Sequence, residues 1–238
     1  MTTATVLVPR QRLPRWLDNF ARHHGEPVAT LRTGDGDDDR DVLELRSPDG
    51  AVARVLIPYG PVPVSDDPRA GVLAHLAVDR TVGVLLARRG GHAAGVFVGD
   101  RLVVSKVGSS HVQGRTKAGG WSQQRYARRR ANQADRAADR AADDSVRVLV
   151  DRAPGPLTAL VCGGDRPMCE QVLADPRLTG VAPLWRPRRA HPVPDPRLAT
   201  LRGFVERVCG VEVQLNEEAR PPQGASRSRA QRSTSRRR

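Results

Sequence analysis

Alternating hydrophobic and polar residues predict several short strands and one helix in the first quarter of the chain. Apolar residues recur at helical spacing from Leu13 to His24, and Ser47–Gly50 has the composition of a hairpin turn. The strands are expected at Thr5–Val8, Val28–Arg32, Val42–Arg46 and Val52–Ile57. Because Pro58, Pro61 and Pro63 then interrupt the pattern, residues 1–62 are predicted to form a small α+β region. No functional motif is recognisable in it.

The pattern in residues 63–218 predicts an α+β or α/β domain, of which we favour α+β, with a mixed sheet and flanking helices. A helix at Arg69–Val78 precedes an antiparallel meander of strands, and a helix of about twenty residues follows Gly120, with Ser122 as its N-cap. Strands are predicted at Val82–Ala87, Gly95–Val98, Leu102–Val107, Val146–Val150, Leu157–Cys162, Ala182–Trp185 and Val211–Leu215. Further helices are predicted near Pro167–Leu173 and Pro196–Cys209. Residues 219–238 contain too little apolar surface to fold alone and are expected to be a disordered Arg-rich tail.

The positive charge of the chain is concentrated in two segments. The net charge is +13, yet residues 101–140 contribute +8 and residues 219–238 contribute +7, so the remainder is slightly acidic. Such clustering is typical of surfaces that bind a polyanion, because each neutralised phosphate releases counterions. A GC-rich genome would explain the preference for arginine over lysine but not this distribution. RNA or DNA is therefore the expected partner.

The long helix after Gly120 carries much of this charge on one side. At 100° per residue its alanines form a ridge, and its arginines fall opposite that ridge. The alanines are Ala127, Ala131, Ala134, Ala138 and Ala141, and the arginines are Arg125, Arg128, Arg129, Arg136 and Arg140. Such a stripe of charged residues is often just the side of the helix that faces solvent. Few acids interrupt this one, however, and like charges spaced i,i+4 cost stability, so RNA contact is the favoured interpretation.

Several classes of protein and site are disfavoured by what the sequence lacks. No apolar run reaches the roughly 20 residues of a membrane span, and the N-terminus lacks a secretory signal, so a cytoplasmic location is expected. The three cysteines have no CxxC spacing and are expected to be buried. GxSxG, HExxH and Walker motifs are absent and the histidines are scattered, so we expect no metal or cofactor. A nuclease is disfavoured because no carboxylate cluster lies near the basic segments.

The segment Arg115–Tyr126 is the strongest candidate for chemistry. It reads RTKAGGWSQQRY, joins a predicted strand to the Arg-striped helix, and contains two glycines that permit unusual backbone conformations. The only lysines of the chain, Lys106 and Lys117, lie in or just before it. That placement could be chance, or it could mark phosphate binding.

This segment resembles a known family of proteins. The pattern KxGGxSxxRYxRxR, after a meander and opening a basic helix, is similar to the central domain of eukaryotic and archaeal class I release factors. Those factors carry Gln after Gly-Gly, where this chain has Trp121. A glutamine two residues later, as GGxxQ, together with Arg152–Gly155 and the Leu157–Gly163 strand, resembles the Vms-like release factor branch and its actinobacterial members most. The resemblance covers roughly residues 70–215 and implies a release-factor-like, RNase H-like layer arrangement.

The resemblance also implies an activity, which is hydrolysis of peptidyl-tRNA on stalled large ribosomal subunits without a cofactor. Gln123, or alternatively Gln124, would orient the attacking water, and Gly119 and Gly120 would shape a loop whose backbone N–H groups stabilise the oxyanion. Arg115 and Lys117 could hold phosphates of the tRNA acceptor end, while Trp121 either stacks on a base or anchors the loop. The basic helix and the tail would bind ribosomal RNA. The main alternative is a non-enzymatic ribosome-associated RNA-binding protein.

Overall fold

The computed structural model describes residues 4–34, 40–88, 90–109, 122–184 and 191–220. Within these ranges the side chains of residues 122–132, 134 and 208 are not part of the description. The described residues form nine strands and six helices, which are arranged around two sheets. The predicted α+β class, a mixed sheet with flanking helices, is confirmed.

The first sheet is antiparallel and combines strands from both ends of the chain. Its order is β1-β9-β4-β3-β2, with β1 Ala4–Pro9, β2 Val28–Arg32, β3 Val42–Arg46, β4 Val52–Leu56 and β9 Gly210–Leu215. Helices α1 (Leu13–His24) and α2 (Pro68–Ala77) cover one face of it. Leu13, Leu17 and Phe20 of α1 pack there against apolar side chains of the strands, such as Leu43 and Val213. These contacts bury the alternate residues whose spacing predicted the strands.

Strand β9 pairs with strands on the other side of the predicted domain boundary. We predicted that residues 63–218 belong to a domain separate from residues 1–62, but β9 lies between β1 and β4 and pairs antiparallel with both. Ala219, placed in the predicted tail, is 5% exposed and belongs to the core of this sheet. The first sheet therefore includes a late segment of the chain as one of its interior strands. The division into domains as a whole stays a prediction.

The second sheet is mixed and has helices on both faces. Strands β5 (Thr81–Arg88), β6 (Gly91–Val98) and β7 (Arg101–Ser109) form the predicted antiparallel meander, and β8 (Ala159–Gly164) runs parallel to β5, in the order β7-β6-β5-β8. Helices α3 (Ser122–Val146) and α4 (Arg166–Leu173) pack on one face. Residues of α5 (Leu198–Gly203) and the adjoining Phe204 pack on the other, next to α6 (Val205–Cys209). Alternate residues of β5 consequently enter two different cores.

Two predicted strands are wrong. Residues predicted as the strand Val146–Val150 instead complete α3 and form a π-helical turn, Arg147–Asp151. The buried side of α3 continues into this turn through Val148 and Leu149, each 1% exposed. A short apolar run is typical of a buried strand and of a buried helical turn alike, so the sequence could not distinguish the two. The predicted strand Ala182–Trp185 is a 3-10 turn at Ala182–Leu184, and Trp185 lies outside the described residues.

Candidate functional site

The candidate loop leaves the second sheet at the end of edge strand β7. Ser109, the last residue of β7, pairs with Gly91 of β6, and the next described residue, Ser122, begins α3. The candidate residues Arg115, Lys117, Gly119, Gly120 and Trp121 lie outside the described residues. The structure therefore describes the residues on either side of these positions, Ser109 and Ser122.

Gln123 and Gln124 lie in the first turn of α3. The sequence placed Ser122 at the N-cap and Gln123 at the tip of the loop, but the helix already begins at Ser122. Both glutamines are therefore helical, and their side chains, with those of Arg125, Arg128 and Arg129, are outside the description. The predicted roles of these residues stay predictions.

Helix α3 is anchored to the sheet through its C-terminal half. Ala137, Ala138, Ala141 and Ala142 are at most 3% exposed and lie in one core with residues of β5, β6 and α4. The predicted alanine ridge is thus confirmed at Ala138 and Ala141 and is wider than predicted. Its other members lie among the side chains that are not described. Small side chains let a helix approach a sheet closely, so this part of α3 is held firmly.

Two acids on the exposed part of α3 are engaged by neighbouring elements. The Asp135 carboxylate accepts a hydrogen bond from Gln171 of α4 at 3.0 Å, and Asp143 pairs with Arg177 at 2.8 Å, so both acids are engaged by the neighbouring elements. Arg136 and Arg140 are exposed, and no ion pair involves them among the described residues. The predicted orientation of these two arginines, away from the alanine ridge, is confirmed.

Arg177 lies in the 3-10 turn Pro176–Leu178 and joins this turn to α3. Its guanidinium bridges Asp143 and Asp175, at 2.8 and 2.7 Å respectively. Hydrogen bonds from the Arg177 side chain and backbone lower the pKa of Asp175 to about 2. The turn therefore engages one acidic group of α3, and Asp139 remains exposed beside Arg136 and Arg140.

A buried His–Asp pair fixes the C-terminal end of α3. His92 of β6 is 2% exposed, and its Nε2 lies 3.0 Å from Oδ2 of Asp144. Gly108 of β7 is opposite His92 in the sheet, and a Cβ at position 108 would overlap the imidazole ring. The C-terminal end of α3 is thus held beside the last residues of β7, from which the chain continues towards the candidate segment. Sequence reasoning missed this pair because its members are 52 residues apart and no local pattern links them.

Residues 80–214, more than half of the chain, match the family described as Actinobacteria/chloroflexi VLRF1 release factor. The chain belongs to this family. The resemblance to Vms-like release factors found in the sequence is thereby confirmed, and the matched region runs from the start of β5 to β9, including β7, α3 and α4. Membership of the VLRF1 family supports a ribosome-associated, release-factor-like function in translation. Residues 1–79 lie outside the match.

Comparisons with individual proteins add less than the family. No curated protein matches the chain. Among solved structures, the crystal structure of the archaeal translation termination factor aRF1 is similar with a TM-score of 0.40 and 14% sequence identity. The alignment covers 91% of this chain and 66% of the archaeal factor, so this VLRF1 family member spans just under two thirds of that protein's length. Among the described helices, none is long and apolar enough to cross a membrane.

Proposed function

We propose that this VLRF1 family member is a peptidyl-tRNA hydrolase that releases stalled nascent chains from the large ribosomal subunit. The observation that carries the proposal is the family match across β7, the GGxxQ segment and α3. The arrangement around that segment supports it. One end of the segment follows an edge strand, and the other opens a helix whose C-terminal half is packed in a core.

The proposed reaction is the hydrolysis of an ester. A water oxygen attacks the carbonyl carbon that joins the peptide to the tRNA ribose, and the carbon–oxygen bond to the ribose then breaks. The leaving ribose oxygen takes up a proton, and the peptide departs as a carboxylic acid. In this proposal the side-chain amide of Gln123 orients the water, with Gln124 as the alternative, and a backbone N–H near Gly119 or Gly120 stabilises the developing oxyanion.

Helical placement of both glutamines gives this proposal a geometric reason. Backbone N–H groups in the first turn of a helix have no partner within the helix, and the helix dipole makes that end positive. Ser122, Gln123 and Gln124 occupy the first turn of α3, which is 25 residues long. A developing oxyanion near that turn would be stabilised by the same end of the helix that carries the glutamines.

The RNA contacts are assigned to the basic residues around the glutamines. Arg115 and Lys117 would hold phosphates of the tRNA acceptor end, and Trp121 would stack on a base or anchor the loop. Arg125, Arg128, Arg129, Arg136 and Arg140 would contact ribosomal RNA. Support for the last two comes from their exposure and from the engagement of Asp135 and Asp143 by other side chains.

The proposal is tested by incubating the protein with large subunits that carry a stalled peptidyl-tRNA and analysing both products. Ester hydrolysis yields free peptide and a tRNA with an intact 3′ end. A shortened tRNA would indicate a nuclease, and salt-sensitive binding without any product would indicate a non-enzymatic RNA-binding protein. Either result would contradict the proposal.

A further inference from the structure

Helix α1 presents a basic face that neither the proposed reaction nor the family match includes. Its buried side consists of Leu13, Leu17 and Phe20, which pack on the first sheet. Arg12, which directly precedes the helix, and Arg15 and Arg22 within it are all exposed. At 1.5 Å per residue, Arg12 and Arg22 are separated by about 15 Å along the helix axis.

The carboxylates beside α1 are already engaged by other side chains. Arg69 of α2 pairs with Asp18 at 3.6 Å and with Glu26 at 2.8 Å, and His24 pairs with Asp49 at 2.7 Å. Among the described residues, no ion pair involves Arg12, Arg15 or Arg22. Asp18 lies between Arg15 and Arg22 on the same side of the helix and shares Arg69 with Glu26, so the three arginines leave a net charge of +2 on this face.

Stability of the helix explains only Arg22, which lies in the last turn, where the dipole favours a positive side chain. The first turn of α1 contains no acidic residue, and no side-chain hydrogen bond caps it. Positive side chains near the N-terminus of a helix are opposed by its dipole, at a typical cost of about 0.3–1 kcal/mol each. Arg12 and Arg15 lie at that end. The positive charge at these two positions is not favoured by the helix itself, and it suits an anionic partner.

The basic face is also held rigidly. Arg10, the first residue of the 3-10 turn Arg10–Arg12 before α1, donates hydrogen bonds to the carbonyl oxygens of Leu76 and Val78 at 3.2 Å each and pairs with Asp79. These contacts tie the start of α1 to the end of α2, and Arg69 ties the middle of α1 to the start of α2. The arginines therefore project from a fixed platform, which lowers the entropy lost when phosphates are bound.

We propose that the α1 face, defined by Arg12, Arg15 and Arg22, is a second RNA-binding surface that contacts phosphates of large-subunit ribosomal RNA. The identity of the RNA rests on the proposed function. Ribosomal RNA is favoured over the tRNA because the acceptor end is assigned to the segment that leaves the second sheet after Ser109, whereas α1 packs on the first sheet. The first region of the chain thereby gains a role in docking.

The test compares charge variants in binding to vacant large subunits, which carry no tRNA, across a salt series. R12E/R15E reverses two charges at the end of the helix where acids are favourable, so its thermal unfolding should occur at the wild-type temperature or above. Its affinity at about 0.1 M salt should fall by about tenfold or more, and the slope of log affinity against log salt by about one for each lost phosphate contact. R12K/R15K should bind like the wild type, because lysine keeps the point charge.

A matched control separates a local effect from a change in net charge. R202E/R207E changes the net charge by the same amount at exposed arginines of α5 and α6 and should bind much more tightly than R12E/R15E. Wild-type affinity of R12E/R15E, equal losses in the two charge-reversal variants, or a loss seen only when peptidyl-tRNA is present would each overturn the proposal. Because vacant subunits are used, this result does not depend on peptide release. Absence of release by the wild type would refute only the proposed function.

Discussion

Replacing Asp144 with alanine should destabilise the protein and misplace α3, because it removes the partner of a buried histidine. The imidazole of His92 is 2% exposed, and its Nδ1 already has no hydrogen-bond partner. D144A would leave Nε2 unpaired as well. An unsatisfied buried polar group costs about 1–3 kcal/mol, so we expect a loss of that size in the free energy of unfolding.

A double-mutant cycle with Gly108 measures the same contact from the other side. In G108A the new Cβ would overlap the His92 ring, so the ring must move away from Asp144 or the β6–β7 pairing must open. Since either substitution disrupts one contact, the losses in D144A and G108A should not add, and the double variant should be less destabilised than their sum by about 0.5–3 kcal/mol.

Urea denaturation of the single and double variants provides the measurement, with D143A as the matched control. Asp143 is a direct neighbour, but its pair with Arg177 lies at the surface, with side chains 59% and 53% exposed, and such pairs contribute about 0–1 kcal/mol. Wild-type stability of D144A, or full additivity with G108A, would refute the idea that His92 and Asp144 fix α3 to the sheet.

Three further predictions concern the tail, the cysteines and Asp175. Deleting residues 221–238 removes six arginines and should weaken both the affinity for RNA and the dependence of that affinity on salt. The rate of peptide release at saturating protein should not change. A slower rate would contradict a purely electrostatic role of the tail. The deletion begins after Arg220 because Ala219 belongs to the first core. Burial raises the pKa of the Cys162 thiol well above its ordinary value. An alkylating reagent at pH 8 should therefore modify Cys162 only after denaturation. Rapid labelling of Cys162 in the native protein, measured by mass spectrometry, would contradict this. NMR titration should give Asp175 a pKa of about 2 that returns towards 3.8 in R177A. Because the pKa of Asp175 is lower in the folded state, the stability that this carboxylate contributes is present above pH 4 and is lost as the pH falls towards 2. An Asp175 pKa that does not change in R177A would be evidence against the pair.

Local patterns predicted most of the elements correctly. Helix α1 was predicted with the bounds that it has, and the meander of β5, β6 and β7 was recognised from short apolar runs separated by glycine turns. These elements depend on periodicity and turn residues that are adjacent in sequence. The family was recognised in a different way, from the resemblance of the contiguous GGxxQ segment and start of the basic helix to Vms-like release factors.

Contacts between distant residues were beyond the reach of such patterns. Strand β9 pairs with β1, about 200 residues earlier, and nothing in its composition indicates this partner. The π-helical turn after α3 reads as a strand because Val146–Val150 contains three valines, and its burial depends on the sheet below. Likewise, the engagement of Asp135 and Asp143 became visible only with Gln171 and Arg177 beside α3.

The proposed function requires that the GGxxQ glutamine acts in the hydrolysis of the ester. We would measure single-turnover peptide release from stalled large subunits at saturating protein, for the wild type, Q123A and Q124A. We expect Q123A to slow release by about 100- to 1,000-fold with nearly unchanged affinity for the subunit, and Q124A to have a much smaller effect. A slow Q124A with a fast Q123A would move the role to the neighbouring residue. Release at the wild-type rate by both variants would contradict the claim.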